Sequence, residues 1–379
     1  MSLIIDEHRE YLSDAPRLSA FRRALAEVIR PGDVVLDLAS GTGILGYLAC
    51  QAGAGRVYAI DDGSIVGIAR ELARANGLSD RVHVIRDIST WATLPERVDV
   101  IVTDQIGHLG FDAGLVQYVA DARRRMLKPG GRIIPGAIAI HVAPCHHDPV
   151  RDAVEFWTRP VAGLDVSAVR PMASCTGYPY QLAASQLLAP AQPIVRIDLS
   201  VAEGEMLEGE ATFAIEAPGT FDGIAGWFVA ELAPGVTMTN GPGHPDRINR
   251  RQSVLPVDRR MSLEAGDRVA VGLRVRPTET VLDWRVTVSA PDGTERARFR
   301  HSTFAGMLFS VEDLARTEPG RVPALSPVGR ARRSVLELCD GQRTIGEIER
   351  EVRERHRDLL PTDAAAAMFV AEVLTRYAE

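Results

Sequence analysis

Asp37-Leu38-Ala39-Ser40-Gly41-Thr42-Gly43 is the part of this sequence best equipped for chemistry. It lies between an apolar run, Val34–Leu38, and helically spaced residues from about Ile44 to Ala52. Glycines in such a loop let the backbone approach a ligand closely, and the helix N-terminus behind them favours negative groups. Gly41, Gly43 and Gly46 satisfy G-x-G-x-x-G, and Asp61 lies 20 residues past Gly41. Spacing alone therefore leaves a nicotinamide or flavin site open. The sequence has no G-x-x-x-x-G-K-[ST] run, which excludes a P-loop NTPase. Asp37, an acid at the strand end, is no part of the dinucleotide pattern.

The surrounding elements are those such a loop needs. Val57–Ile60, Val82–Ile85 and Val98–Val102 read as further buried strands, and Ile65–Asn76 as a helix stopped by Gly77. Repeated strand–helix units imply a parallel sheet with right-handed crossovers. From about residue 137 the texture changes to runs such as Ile194–Val201, Gly209–Glu216, Ile224–Leu232, Arg268–Arg276, Val281–Ala290 and Arg296–Thr303. Pro and Gly turns separate them, as in an antiparallel sandwich or barrel. Residues 1–30 and 311–379 are helical in pattern, with Thr344 and Glu347 spaced as a capping box.

Composition bounds the possibilities. A chain of 379 residues with 46% hydrophobic and 25% charged residues has room for two or three globular domains. Of its 43 basic residues only Lys128 is a lysine, and the net charge of −7 argues against a dedicated nucleic-acid binder or a DNA-binding regulator. No apolar run is long enough for a transmembrane helix, and the start lacks a secretory pattern, so a cytoplasmic protein is expected. Cys50, Cys145, Cys175 and Cys339 are scattered without a C-x-x-C pair, so neither disulfides nor a metal site is expected.

The D-x-x-x-G-T-G form resembles motif I of class I S-adenosylmethionine-dependent methyltransferases. His8-Arg9-Glu10-Tyr11-Leu12-Ser13-Asp14-Ala15-Pro16-Arg17, Gly41-Thr42-Gly43-Ile44-Leu45, Trp157 with Gly163–Ser167, and Phe221–Phe228 together are similar to one branch, the protein arginine methyltransferases. The likeness covers roughly residues 6–305. It implies a Rossmann-like α/β domain, an antiparallel β-barrel, and S-adenosylmethionine as cofactor, with S-adenosylhomocysteine as product. It further implies that Arg17 holds the cofactor's carboxylate, that Asp61 takes the ribose hydroxyls, and that Asp87, Ile88 and Ser89 contact adenine. Asp37, Ala39, Gly41, Gly43 and Asp62 complete the expected cofactor set.

Departures from the family bear on the acceptor. In place of its two hairpin glutamates, which grip a guanidinium, stand Asp104 and Asp112 in a loop one residue shorter. Each acid loses roughly 1.5 Å of reach. Ile248-Asn249-Arg250 stands where the family has a histidine. A retained methyl-transfer machinery with an altered acceptor is the reading that follows. Asp104, Asp112 and His108 are the expected catalytic groups, and Tyr11, Gln105, Asn249 and Arg250 the expected acceptor-binding ones.

Val335–Ile348 resembles the helical half of PqqD-like domains, which grip leader peptides of ribosomally made natural products; the strands of such domains are not evident between 306 and 330. The expectation is an N-methyltransferase acting on a peptide amine, in ribosomal-peptide tailoring of the daptide type. A protein arginine methyltransferase and a non-catalytic cofactor-binding peptide scaffold are the alternatives. The expected organisation is N-terminal cofactor-covering helices (1–30), a Rossmann-like domain (31–136), a barrel with a dimerisation arm around Val169–Gln181 (137–305), and a helical PqqD-like domain (306–379). A homodimer follows from the resemblance.

Overall fold

The structure, a computed structural model, describes residues 4–307 and 310–378. Two compact units divide the chain, Met1–Met307 and Leu308–Glu379.

In the first unit, β1 (Val34–Leu38), β2 (Arg56–Asp61), β3 (Val82–Arg86), β4 (Val98–Thr103) and β5 (Leu127–Ile134) form a parallel sheet in the order β3-β2-β1-β4-β5. Every residue of β1 is buried, as a central parallel strand with both faces covered requires. The strand order reverses between β1 and β4, and open α/β sheets bind ligands outside the carboxyl ends of the strands at such a point. Two N-terminal helices reach this end, α1 (Ile4–Ser13) and α2 (Ala15–Val28). Asp14 caps α2 by accepting from the Arg17 amide, and Pro16 occupies its first turn. Arg17, Phe21, Ala24 and Leu25 fall on the buried face at helical spacing. Three helices complete the sheet's layers: α3 (Ile44–Gln51), α4 (Val66–Ala75) and α5 (Leu115–Arg125).

Two antiparallel sheets follow. The first contains β6 (Ala137–Cys145), β7 (Tyr178–Tyr180), β8 (Gln192–Asp198), β10 (Gly219–Ala233) and β12 (Gln252–Leu263), ordered β7-β12-β10-β6-β8, with β11 (Val236–Thr239) also on β10. The second is β15-β14-β13-β9, from β9 (Leu207–Ala214), β13 (Arg268–Arg276), β14 (Val281–Ser289) and β15 (Glu295–Ser302). Trp284, fully buried, donates from Nε1 to the Pro256 carbonyl at 3.0 Å and ties one sheet to the other. One hydrophobic core runs from Phe21 and Leu36 through Phe228 to Trp284.

Sequence reading passes over β6 and β12. β12 carries Pro256, ordinarily a sign against a central strand. The protein accommodates it opposite Gly223, at a register shift where a Cβ on Gly223 would lie 2.3 Å from the Leu255 carbonyl oxygen. In the stretch expected to form an arm, Tyr178–Tyr180 pairs with β12, while the exposed apolar side chains Phe156, Val161 and Leu164 lie upstream.

The second unit holds the helices Val311–Arg316, Pro327–Leu338, Ile345–Arg355 and Asp363–Tyr377. Val335, Leu338, Ile348, Val352, Val370 and Val373 build its own small core. Thr344 and Glu347 form the capping box, the Thr344 amide donating to Glu347 Oε2 at 2.8 Å. Among the described residues this unit contains no strand, so only helices stand where the resemblance would place a strand-bearing module. No described helix is long and apolar enough to cross a membrane.

Asp37 fixes the loop between β1 and α3. Its Oδ2 accepts from the Gly46 amide at 2.8 Å, while Oδ1 has no partner. Burial pushes its carboxyl up to about 7, against the Gly46 hydrogen bond and the Arg17 charge, which pull it down. An unfolded Asp titrates near 3.9. The folded state thus binds the extra proton between these values, and stability is lost as the pH rises through them. Asp37→Asn, with no proton to lose, is expected to gain stability relative to wild type between about pH 4 and about pH 7 and to keep a constant difference above that. Urea unfolding of both proteins across this range checks it; parallel curves would refute it.

Candidate active site

Backbone conformation shapes the loop after β1. Ala39 (φ 57°), Gly41 (φ 53°) and Gly43 (φ 81°) are all left-handed. A positive φ at alanine is costly and occurs mostly at functional turns. At Gly41 the left-handed backbone favours glycine, and a Cβ there would fall 2.7 Å from the His8 ring, which would have to move. Asp61, ending β2, accepts from the Gly41 amide through Oδ2 and from the Gly63 amide through Oδ1, each at 2.8 Å. Asp87 Oδ1 accepts from the Ile88 amide at 2.8 Å.

Two adjoining cavities open along this edge. One, of about 130 Å³, is lined by Leu38, Ala39, Ile60, Asp61, Asp62, Asp87, Ile88, Ser89, Gln105 and Tyr118. The other, of about 390 Å³, is lined among others by Glu7, His8, Tyr11, Arg17, Ser40, Gly41, Asp104, Gln105, His108 and Arg250. Ala39, Asp61 and Gln105 belong to both walls, so the two form one groove. Its donor set fits a nucleoside bearing an amino-acid tail. Leu38, Ile60, Ile88 and Tyr118 offer apolar surface for a base, and Asp61 has lone pairs for hydroxyls. Ser40 Oγ, in the groove wall, is buried without a partner, the kind of orphaned polar atom a ligand could satisfy.

At the wider end, Asp104 follows β4 and is bonded by two arginines. Arg17 Nε donates to Asp104 Oδ2 at 2.5 Å, Arg250 Nη2 to Oδ2 at 2.9 Å, and Arg250 Nη1 to Oδ1 at 3.3 Å. The three side chains are 7%, 11% and 12% exposed for Arg17, Asp104 and Arg250. Burial alone would raise the Asp104 carboxyl, but the Arg250 and Arg17 charges outweigh it and hold it below the usual carboxylate range. Arg17 is further held by the Tyr11 carbonyl at 3.2 Å and by the Phe21 ring.

The expected site residues separate into wall and support. Ala39, Gly41, Asp61, Asp62, Asp87, Ile88, Ser89 and Arg17 face the groove, as do Tyr11, Gln105, Asp104, His108 and Arg250. Asp37 and Gly43 lie behind the loop and are not part of its lining. Asn249 is likewise not in the wall; its amide donates to Asp14 Oδ2 at 2.8 Å. Asp112 turns back into its own hairpin, accepting from the His108 amide at 3.0 Å and the Leu109 amide at 2.8 Å. Gly107 (φ 78°) makes that turn possible, since a Cβ there would sit 2.3 Å from Asp112 Oδ1. His108 Nδ1 lies 3.2 Å from the Arg251 carbonyl. A carbonyl only accepts, so the neutral ring carries its proton on Nδ1 and keeps the Nε2 lone pair.

Sequence reasoning missed Asn240. Fully buried, it accepts from the Phe228 amide at 3.0 Å and donates to the His108 and Arg251 carbonyls, both at 2.8 Å. It thereby fixes the hairpin against the loop bearing Arg250. Its sequence setting, Thr-Asn-Gly-Pro-Gly, signals only a turn. Elsewhere, His146, Asp148 and Asp222 bring possible ligand atoms within 4.8 Å of one another. Arg260 and the His147 amide already bond Asp222, which makes this an ion-pair network.

Residues 21–141 match the family model described as ribosomal protein L11 methyltransferase, and residues 137–288 the arginine methyltransferase oligomerization subdomain. An arginine N(omega)-methyltransferase of Streptomyces achromogenes subsp. streptozoticus is 32% identical over 274 residues, covering 70% of this chain and 75% of that protein. Protein arginine N-methyltransferase 6 of Xenopus laevis is 28% identical over 288 residues, covering 72% and 84%. Among solved structures, the PRMT1 enzyme–prozyme heterotetrameric complex of Trypanosoma brucei with AdoHcy is similar in fold, with a TM-score of 0.67, 23% identity and coverage of 78% and 97%. Protein arginine methyltransferase 10 of Arabidopsis thaliana gives a TM-score of 0.66, 22% identity and the same coverage. The loop, the groove and these relatives lead to one conclusion: the chain belongs to the protein arginine methyltransferase family, within the class I S-adenosylmethionine-dependent methyltransferases.

Proposed function

We propose that this protein methylates a guanidinium nitrogen of an arginine acceptor. The observation that carries this reading is the single groove in which the glycine loop and Asp61 meet an ionised carboxylate, Asp104. The names of the relatives point the same way. When bound, S-adenosylmethionine supplies a methyl group activated by its sulfonium charge. Asp61 and Asp62 would take its ribose hydroxyls, Asp87, Ile88 and Ser89 its base, and Arg17 its carboxylate, a partner suited to the guanidinium fork. Asp104 attracts and orients a cationic acceptor, Tyr11 and Gln105 border it, and His108 Nε2 takes the proton that the methylated nitrogen sheds. Asp112 acts by holding the hairpin that carries His108.

A second reading, an amine of a peptide as acceptor, has a specific observation in its favour. Both oxygens of Asp104 are engaged by arginines of the same chain, and Asp112 is engaged by backbone amides. Neither acid is free for a two-point grip on a guanidinium, whereas an amine needs one partner. On this reading the enzyme tailors ribosomal peptides, of which the daptide type is one setting, and the helical second unit docks a leader peptide in the PqqD manner. On either reading we propose a homodimer, supported by the matched oligomerization subdomain and by exposed Phe156, Val161 and Leu164.

Two measurements test the proposal. Intact mass is followed with S-adenosylmethionine and two peptides, one rich in arginine with a blocked N-terminus, one arginine-free with a free amine. Methyl gain on the first supports the main reading; gain on the second alone replaces it with the amine reading. Gain on neither, with the cofactor bound, favours a non-catalytic scaffold. Separately, Arg17→Ala is expected to weaken S-adenosylhomocysteine binding by roughly tenfold or more, as loss of a charged hydrogen-bond partner does. An unchanged dissociation constant in calorimetry removes Arg17 from the cofactor site.

A further inference from the structure

Arg250 meets Asp104 through two nitrogens and both carboxylate oxygens, the two-point geometry frequent between guanidinium and carboxylate. Its place is set by backbone rather than chance. The Asn249 amide is held by Asp14, the Arg250 amide donates to the Ile248 carbonyl at 2.8 Å, and the Arg251 carbonyl accepts from Asn240. The guanidinium also lies 5.9 Å from the centre of the Phe228 ring. The protein thus plants a guanidinium of its own on the carboxylate that faces the wide end of the groove.

We infer that Arg250 is an internal competitor for the acceptor cation and the residue that sets acceptor specificity. The inference rests on the proposed reading that the acceptor nitrogen enters beside Asp104. An arginine acceptor binds there only in the fraction of molecules whose Asp104 has released Arg250, and its apparent affinity is reduced by that fraction. An acceptor needing only one contact, such as a neutral amine, is not penalised in this way. Arg250 thereby disfavours guanidinium acceptors relative to amines. Without it Asp104 keeps Arg17 as its one ionic partner, and a largely buried carboxylate with a lost partner gains more from an incoming guanidinium.

The test uses the full chain, saturated with S-adenosylhomocysteine, and ethylguanidinium as probe. In calorimetry Arg250→Met is expected to bind the probe about tenfold more tightly than wild type, or better, from the release of one charged hydrogen-bonded pair. Arg250→Lys, a single-point cation, is expected to fall between them, and serves alone where the Met variant does not fold. In turnover, the KM for an arginine peptide is expected to fall in the variants while the KM for an amine peptide does not. Equal probe affinities in all three proteins, with the ratio of the two KM values unmoved, would overturn the inference and leave the methyltransferase reading standing. Tighter probe binding without transfer to either peptide by any of the three proteins would support the inference and overturn the functional reading.

Discussion

The carboxylate of Asp104 lies between two guanidiniums that come from distant parts of the chain's first unit. Arg17 arrives on α2, near the N-terminus, and Arg250 on the loop before β12. An ionised carboxylate this enclosed is tolerated only when opposite charge and hydrogen bonds compensate its lost hydration. The cluster therefore requires all three elements to meet, and it places α2, the end of β4 and the barrel loop around one point. Asp14 adds a second tie between two of them, bonding the Arg17 amide with one oxygen and the Asn249 amide with the other. The wide end of the groove exists because these contacts hold its walls together.

The narrow end has a different origin. It lies where the strand order reverses, at the carboxyl ends of β1 and its neighbours, and left-handed residues at 39, 41 and 43 turn the chain away from the sheet. Asp61 bridges the Gly41 and Gly63 amides and so joins the loops after β1 and β2. Here backbone geometry does most of the shaping; at the wide end, charge does. The boundary residues Ala39, Asp61 and Gln105 belong to both. The two parts are continuous, so a methyl donor held in the first would border the second, as transfer by proximity requires.

The cofactor loop was legible in the sequence because its parts are local: strand, acid, glycines and helix occupy one continuous stretch. The parallel sheet was legible for the same reason. How the residues of the wide end are held together was not. Arg250 is 146 residues from Asp104, and no spacing rule links them. Asn240 carries no signal beyond a turn, yet it joins two loops of the site. Asp112 reads as a groove acid but turns inward, because Gly107 permits a tight hairpin whose amides it can cap. Pro256 concealed β12, since the glycine that accommodates it sits on another strand.

The central claim is that Asp104 is held ionised by Arg17 and Arg250. Its side-chain carboxyl ¹³C shift, assigned by comparison with Asp104→Asn and followed by NMR through acid titration, tests this most directly. The account expects a midpoint clearly below the ordinary Asp value of about 3.9. A midpoint at or above that value would contradict it.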